Sequence, residues 1–205
     1  MQSADRVASG LKKIGIMGGS FDPPHKTHIA AAERAREFLD LDEIFFVPAY
    51  SAPLKASPHE APFEHRLKML EIALKNFPGK YRIFDVEFKR GGASYSVDTA
   101  RFFADMFKGG EFFWIIGADQ LLQLDKWREI ESLSKIVKFA CLKRAGFNFA
   151  PPDGLPKSVR ILEVPFAETP DSSTSARLTI KNGAKNLDFI DEGVLNYIRE
   201  NKLYS

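Results

Sequence analysis

The residues best suited to chemistry lie between Ile14 and His28, read as I-G-I-M-G-G-S-F-D-P-P-H-K-T-H. His25 and His28 stand at i and i+3, so in a helix they share a face. At a helix N-terminus that face meets unsatisfied N–H groups and the positive end of the macrodipole, which attract phosphate. Gly18 and Gly19 let the chain turn sharply just before them and bring bare backbone close to a ligand. Pro23 and Pro24 stiffen the turn, with Pro24 just before or at the helix start. Two of the four histidines in the chain fall in this one turn. The arrangement suits a polyphosphate; the competing reading is a structural turn carrying two surface histidines. Neither G-x-x-x-x-G-K-[ST] nor G-x-G-x-x-G accounts for it.

A second candidate is Asp171 to Arg177, D-S-S-T-S-A-R. Ser172, Ser173 and Thr174 can cap a helix and offer hydroxyls, while its first N–H groups point outward. Arg177 lies one turn beyond Ser173 on the same face and can grip two phosphate oxygens. Taken alone, the pattern fits an ordinary N-cap with a surface arginine equally well.

The elements that must position these residues follow from periodicity. Ile14 and Ile16 flank Gly15 in a short apolar run that reads as a buried first strand. Lys26 to Leu39 carries Ile29, Ala32, Ala35, Phe38 and Leu39 at helical spacing, and Ile44 to Val47 is a second strand ended by Pro48. That strand runs into Val47-Pro48-Ala49, without the acidic residue a dinucleotide fold would place there. Tyr50 to Pro62 is a proline-rich loop. Helix is expected over Phe63 to Phe77, Ser94 to Phe107, Leu121 to Leu133, Ser173 to Ala184 and Asp191 to Asn201, the last with Asp191 as N-cap. Strand is expected over Arg82 to Phe88, Phe112 to Ile116, Ile136 to Leu142 and Val159 to Val164. His65 and Arg66, at a helix start, read as surface residues. Strands alternating with helices make an α/β fold, a doubly wound and mainly parallel sheet with helices on both faces. Its ligand crevice belongs at the carboxyl ends of the strands, at the topological switch point.

Composition narrows the classes. With 205 residues, 44% of them hydrophobic and 27% charged, the chain suits one domain with a sizeable core. We expect residues 12–205 to form it, ending in a helical segment. Met1 to Leu11 is polar, lacks the apolar core of a secretory signal and reads as a disordered leader. A net charge of +2 gives no bulk electrostatic case for nucleic acid. No apolar run is long enough to cross a membrane. The one cysteine, Cys141, suits a reducing cytoplasm and reads as a small buried hydrophobe.

The segment Gly18 to His28 resembles the G-G-[ST]-F-D-P-x-H-x-G-H signature of nucleotidylyltransferases, with Thr27 where that family usually has Gly. Asp171 to Arg177 is similar to the [IV]-S-S-T-x-[IV]-R motif of the same enzymes, departing at Asp171 and Ala176. Ser94 to Thr99 is similar to S-Y-T-x-D-T, Ile116 to Asp119 to I-G-A-D, Lys126-Trp127 to a K-W pair, and Lys143 to Phe147 to K-R-P-G-F. Asn201 to Tyr204 is similar to N-G-L-Y. Together these resemble the bacterial-type nicotinate mononucleotide adenylyltransferases, over residues 12–204. One loop departs: the usual P-P-H-[KR] is Ala52-Pro53-Leu54-Lys55, leaving His59 five residues further on to reach in.

The resemblance implies a Rossmann-like fold and transfer of AMP from ATP to nicotinate mononucleotide in NAD biosynthesis. Mg²⁺ is expected to enter with ATP. His25, His28 and Arg177 are expected to hold the triphosphate, the histidines partly or fully protonated. Gly18, Gly19, Ser20, Phe21, Gly117, Asp119, Arg144, Ser172, Ser173 and Thr174 are implied at the ATP site. Asp119 there meets a ribose hydroxyl or simply caps the next helix. Lys55, Tyr95, Ser96, Thr99 and Trp127 are implied around nicotinate mononucleotide: Trp127 stacking on the ring, backbone N–H groups near Ser96 and Trp127 meeting the carboxylate, Ser96 or Thr99 adding a hydroxyl. The expected partners are these two substrates, with a homo-oligomer possible and neither nucleic acid nor membrane. Two alternatives stay open: a related nucleotidylyltransferase taking nicotinamide mononucleotide or phosphopantetheine, and a nucleotide-binding sensor without catalysis.

Overall fold

The computed structural model describes residues 12–51, 53, 59–143, 150–167, 171–184 and 186–205. The central strand is β1, Lys13–Gly19. It pairs in parallel with β2, Glu43–Pro48, on one side and with β4, Glu111–Gly117, on the other. Beyond β2 lies the short β3, Tyr81–Ile83; beyond β4 lie β5, Val137–Lys143, and β6, Ile161–Pro165. All five pairings are parallel, in the order β3-β2-β1-β4-β5-β6. The chain builds outward from β1 to β3 and then crosses back to β4, so the switch point lies between β1 and β4.

Alternate residues of each strand feed two cores. On one face Ile14, Ile16, Phe45 and Trp114 pack with Val97, Ala100 and Phe103 of α4, Ser96–Met106. On the other, Met17, Ile44, Phe46 and Ile115 pack with Ala31, Ala32 and Ala35 of α1, Lys26–Leu39, and with Leu70 of α2, Phe63–Ala73. Gly15 sits where a Cβ would come within 2.6 Å of Ile44 and 2.9 Å of Leu41, which explains the glycine inside the strand. A third cluster joins Met69 of α2, Ala176 of α7 (Ser173–Lys181), and Val194, Leu195 and Ile198 of α8 (Glu192–Glu200). The doubly wound α/β expectation is met, and Asp191 caps α8 through a 2.8 Å bond from Gly193 N–H. No helix among the described residues is long and apolar enough to cross a membrane. The expected leader, Met1 to Leu11, lies outside the described residues.

Three expectations need correction. Arg82 to Phe88 is not one strand: β3 stops at Ile83, and α3, Val86–Arg90, follows. Leu121 to Leu133 is not one helix. It breaks into α5, Ala118–Leu121, a 3₁₀ turn at Leu124–Lys126, and α6, Ile130–Ile136. Trp127 is extended (φ −71°, ψ 131°) and Glu129 is left-handed (φ 50°), so the chain kinks at the tryptophan. Arg66 is not a surface residue; it is 1% exposed, and its guanidinium donates to the carbonyls of Ser20 (2.7 Å) and Ala61 (3.2 Å). His65 is half-buried against the Tyr197 hydroxyl, 2.9 Å away.

Candidate active site

The turn after β1 places the first candidates. Phe21 takes a left-handed backbone (φ 47°), costly for a bulky residue, and its ring is fully buried. It packs edge-on against His28, with centroids 5.2 Å apart. The Phe21 ring therefore braces an imidazole, and only its backbone is left to face a ligand. Asp22, 3% exposed, fixes the turn by accepting from Glu60 N–H (2.8 Å), Ala61 N–H (3.1 Å) and the Tyr204 hydroxyl (2.7 Å). His25 is the N-cap of α1, and Lys26 N–H donates to the Phe189 carbonyl at 2.8 Å, tying the helix start to the C-terminal segment.

His25 and His28 do come together, with ring centroids 3.7 Å apart. The expectation of partly or fully protonated histidines applies beside a triphosphate; in the protein itself burial sets the state of His25. Burial pushes its pKa down to about 4, against a smaller opposing pull from Asp171, so it is neutral at pH 7. His28 Nδ1 accepts the His25 backbone N–H at 3.2 Å, so Nε2 is the nitrogen that carries the proton. His25 Nδ1 is buried without a hydrogen-bond partner in the protein, an arrangement that costs stability and marks a site built for contact.

The second motif docks beside the first. Ser172 caps α7 by accepting from Ser175 N–H at 3.0 Å. The Ser173 hydroxyl donates to the Pro23 carbonyl at 2.9 Å, which locks the start of α7 to the turn of the first motif. Thr174 is exposed. Arg177 donates to the Asp22 carbonyl (2.8 Å) and to Glu60 Oε1 (2.6 Å); Lys181, one turn on, holds Glu60 Oε2 at 2.7 Å. Those two cations keep the Glu60 carboxyl below its usual range. Thr27 and Asp171, two of the three departures from the motifs, face one another at 3.4 Å.

A cleft of about 310 Å³ opens beside this pair of motifs, between β1 and β4 at the switch point. Gly18, Gly19 and Ser20 line it together with Tyr95, Ser96, Asp119, Trp127 and Arg128. A Cβ on Gly117 would meet nothing within 4 Å, so the glycine is not demanded by packing and leaves space for a ligand. Trp127 is half-buried, edge-on to Trp114 (6.3 Å) and Phe139 (6.1 Å). His59, expected to reach in, meets the Ser20 hydroxyl at 2.9 Å.

Thr99 is corrected: it is fully buried, and its hydroxyl donates to Glu87 Oε1 at 2.8 Å, so it offers nothing to the cleft. Glu87 itself was missed. It is 5% exposed, lines the cleft, and has its pKa raised by burial against the pull of Ser94 and Thr99 hydrogen bonds. Arg144 and Lys55, with Leu54, lie outside the described residues.

A parallel sheet in this order, with a ligand cleft at its switch point, defines a nucleotide-binding Rossmann-like protein. Within that class the chain belongs to the cytidylyltransferase-like family, whose model matches residues 16–179. It is 39% identical over 192 residues to a probable nicotinate-nucleotide adenylyltransferase of Opitutus terrae, covering 94% of this chain and 97% of that one. A protein of the same name from Bordetella pertussis is 37% identical over 200 residues, covering 95% and 99%. Among solved structures, the Plasmodium falciparum nicotinic acid mononucleotide adenylyltransferase complexed with NaAD matches with a TM-score of 0.76 over 94% of this chain and 97% of that one. At 22% identity that match speaks to the fold.

Proposed function

We propose that this chain transfers AMP from ATP to nicotinate mononucleotide, releasing pyrophosphate and forming the deamido dinucleotide of NAD biosynthesis. The observation that carries the reading is the 39% identity to a probable nicotinate-nucleotide adenylyltransferase across 94% of the chain. The switch-point cleft, with Trp127, Tyr95 and Ser96 beside the glycine turn, supports it.

A phosphate oxygen of nicotinate mononucleotide attacks the α-phosphorus of ATP. A new P–O bond forms, the bond to the β-phosphate breaks, and pyrophosphate leaves with the electron pair. The nucleophile is already an anion, so no general base is needed. The protein has to align the two substrates and stabilise charge on the equatorial and leaving oxygens. In this reading the cleft holds the nicotinate nucleotide. His25, His28, the start of α7 and Arg177 face the triphosphate. Gly117 admits the nucleotide backbone and Asp119 meets a ribose hydroxyl. ATP enters as its magnesium complex. A magnesium ion of this kind is bound through substrate phosphates and keeps several waters.

Arg177 and Lys181 reach the phosphates only by releasing Glu60, a carboxylate standing where an anionic ligand would bind. Glu60→Gln removes that competitor's charge. The KM for ATP is expected to fall by roughly three- to tenfold, in line with the loss of two exposed charge pairs. An unchanged or raised KM would show that Glu60 orients Arg177 instead.

The reading as a whole is tested by pyrophosphate release with ATP and Mg²⁺, comparing nicotinate mononucleotide, nicotinamide mononucleotide and phosphopantetheine. Preference for the first is expected. Release only with another acceptor would overturn the substrate, and ATP binding without release would point to a sensor.

A further inference from the structure

Resting on that reading, we propose that Arg128 is the residue that selects the pyridine acid over its amide, by pairing its guanidinium with the ring carboxylate. Trp127 and Arg128 are neighbours in the chain and both line the cleft that Gly18 and Gly19 also line. The chain is extended at Trp127 and turns left-handed at Glu129. The Arg128 guanidinium carbon lies 4.5 Å from the Tyr95 ring centroid, a cation–π distance that keeps it beside the cleft.

The alternatives on the same walls are weaker. Thr99 spends its hydroxyl on Glu87. Ser94 Oγ accepts two backbone N–H groups, from Tyr50 (3.0 Å) and Ser51 (3.1 Å). Lys126 also lines the cleft, but it has neither a ring beneath it nor a planar fork that matches a carboxylate. The Arg128 pair with Glu129 is loose, at 3.7 Å, and Glu129 is bound more closely to Arg101, at 2.6 Å. Arg128 is therefore able to turn to a second carboxylate. An acid offers that fork two charged acceptors; an amide offers one neutral oxygen.

The test is steady-state kinetics with nicotinate mononucleotide and nicotinamide mononucleotide for wild type, Arg128→Gln and Arg128→Lys. Arg128 is exposed, so the variants are expected to fold, and a melting curve checks it. Arg128→Gln is expected to lower the acid-to-amide ratio of kcat/KM by about tenfold or more. The loss falls on the KM for the acid, and Arg128→Lys keeps part of the preference. A ratio within twofold of wild type, or equal losses on both substrates, overturns the role of Arg128 while leaving the proposed function standing. Wild-type protein inactive with both nucleotides overturns the function and this inference with it.

Discussion

His28→Ala is expected to reduce the rate of pyrophosphate release by about 10²- to 10³-fold, the loss that follows removal of one preorganised donor at a site of developing charge. The structure gives His28 a fixed tautomer. Its Nδ1 is committed to the His25 backbone N–H, and its ring lies edge-on to the buried Phe21. The fold therefore leaves the ring proton on Nε2 and sets the position of the ring. The same substitution removes one cap at the start of α1, which costs about 1 kcal/mol. Steady-state kinetics beside thermal melting separates the two effects: a large fall in kcat with a melting shift of a few degrees is expected. Wild-type turnover in the variant would remove His28 from the chemistry.

Asp22→Ala is expected to be the most damaging single change to stability. Three donors lose their acceptor at once: Glu60 N–H, Ala61 N–H and the Tyr204 hydroxyl. The buried Arg66 also loses the negative charge that compensates it, and a buried cation without its counter-charge costs about 3–5 kcal/mol. For a chain of this size that corresponds to a melting temperature lower by roughly 6–20 °C. Calorimetry at neutral pH reads it directly. Asp22→Asn keeps one acceptor oxygen and should fall between the two. A shift below about 2 °C for the alanine variant would mean that the network is not the clamp described here.

These two residues also show what sequence alone could and could not yield. The pairing of the two histidines in the first motif follows from their fixed spacing, and their rings do meet. The parallel sheet and its crevice follow from apolar runs alternating with helical periods, and the bounds of α1, Lys26–Leu39, match those read from the pattern. The failures have physical causes. Val86–Arg90 is too short for its period to separate helix from strand, and its charges fit either. The interruption at Trp127 is made by backbone angles at Trp127 and Glu129, neither of which is glycine or proline. Arg66 reads as a surface residue because its partners are carbonyls of Ser20 and Ala61, which no side-chain pattern announces. Glu87 and Thr99 belong to one buried pair split between two helices, so Glu87 passes for a strand residue and Thr99 for a ligand.

The most direct measurement follows the label from ATP carrying a radioactive α-phosphate, mixed with nicotinate mononucleotide and Mg²⁺. The account predicts that the label appears in the dinucleotide, in amounts equal to the unlabelled pyrophosphate released. Label recovered as AMP, or left in ATP while nicotinate mononucleotide is present, would contradict transfer of the adenylyl group by this chain.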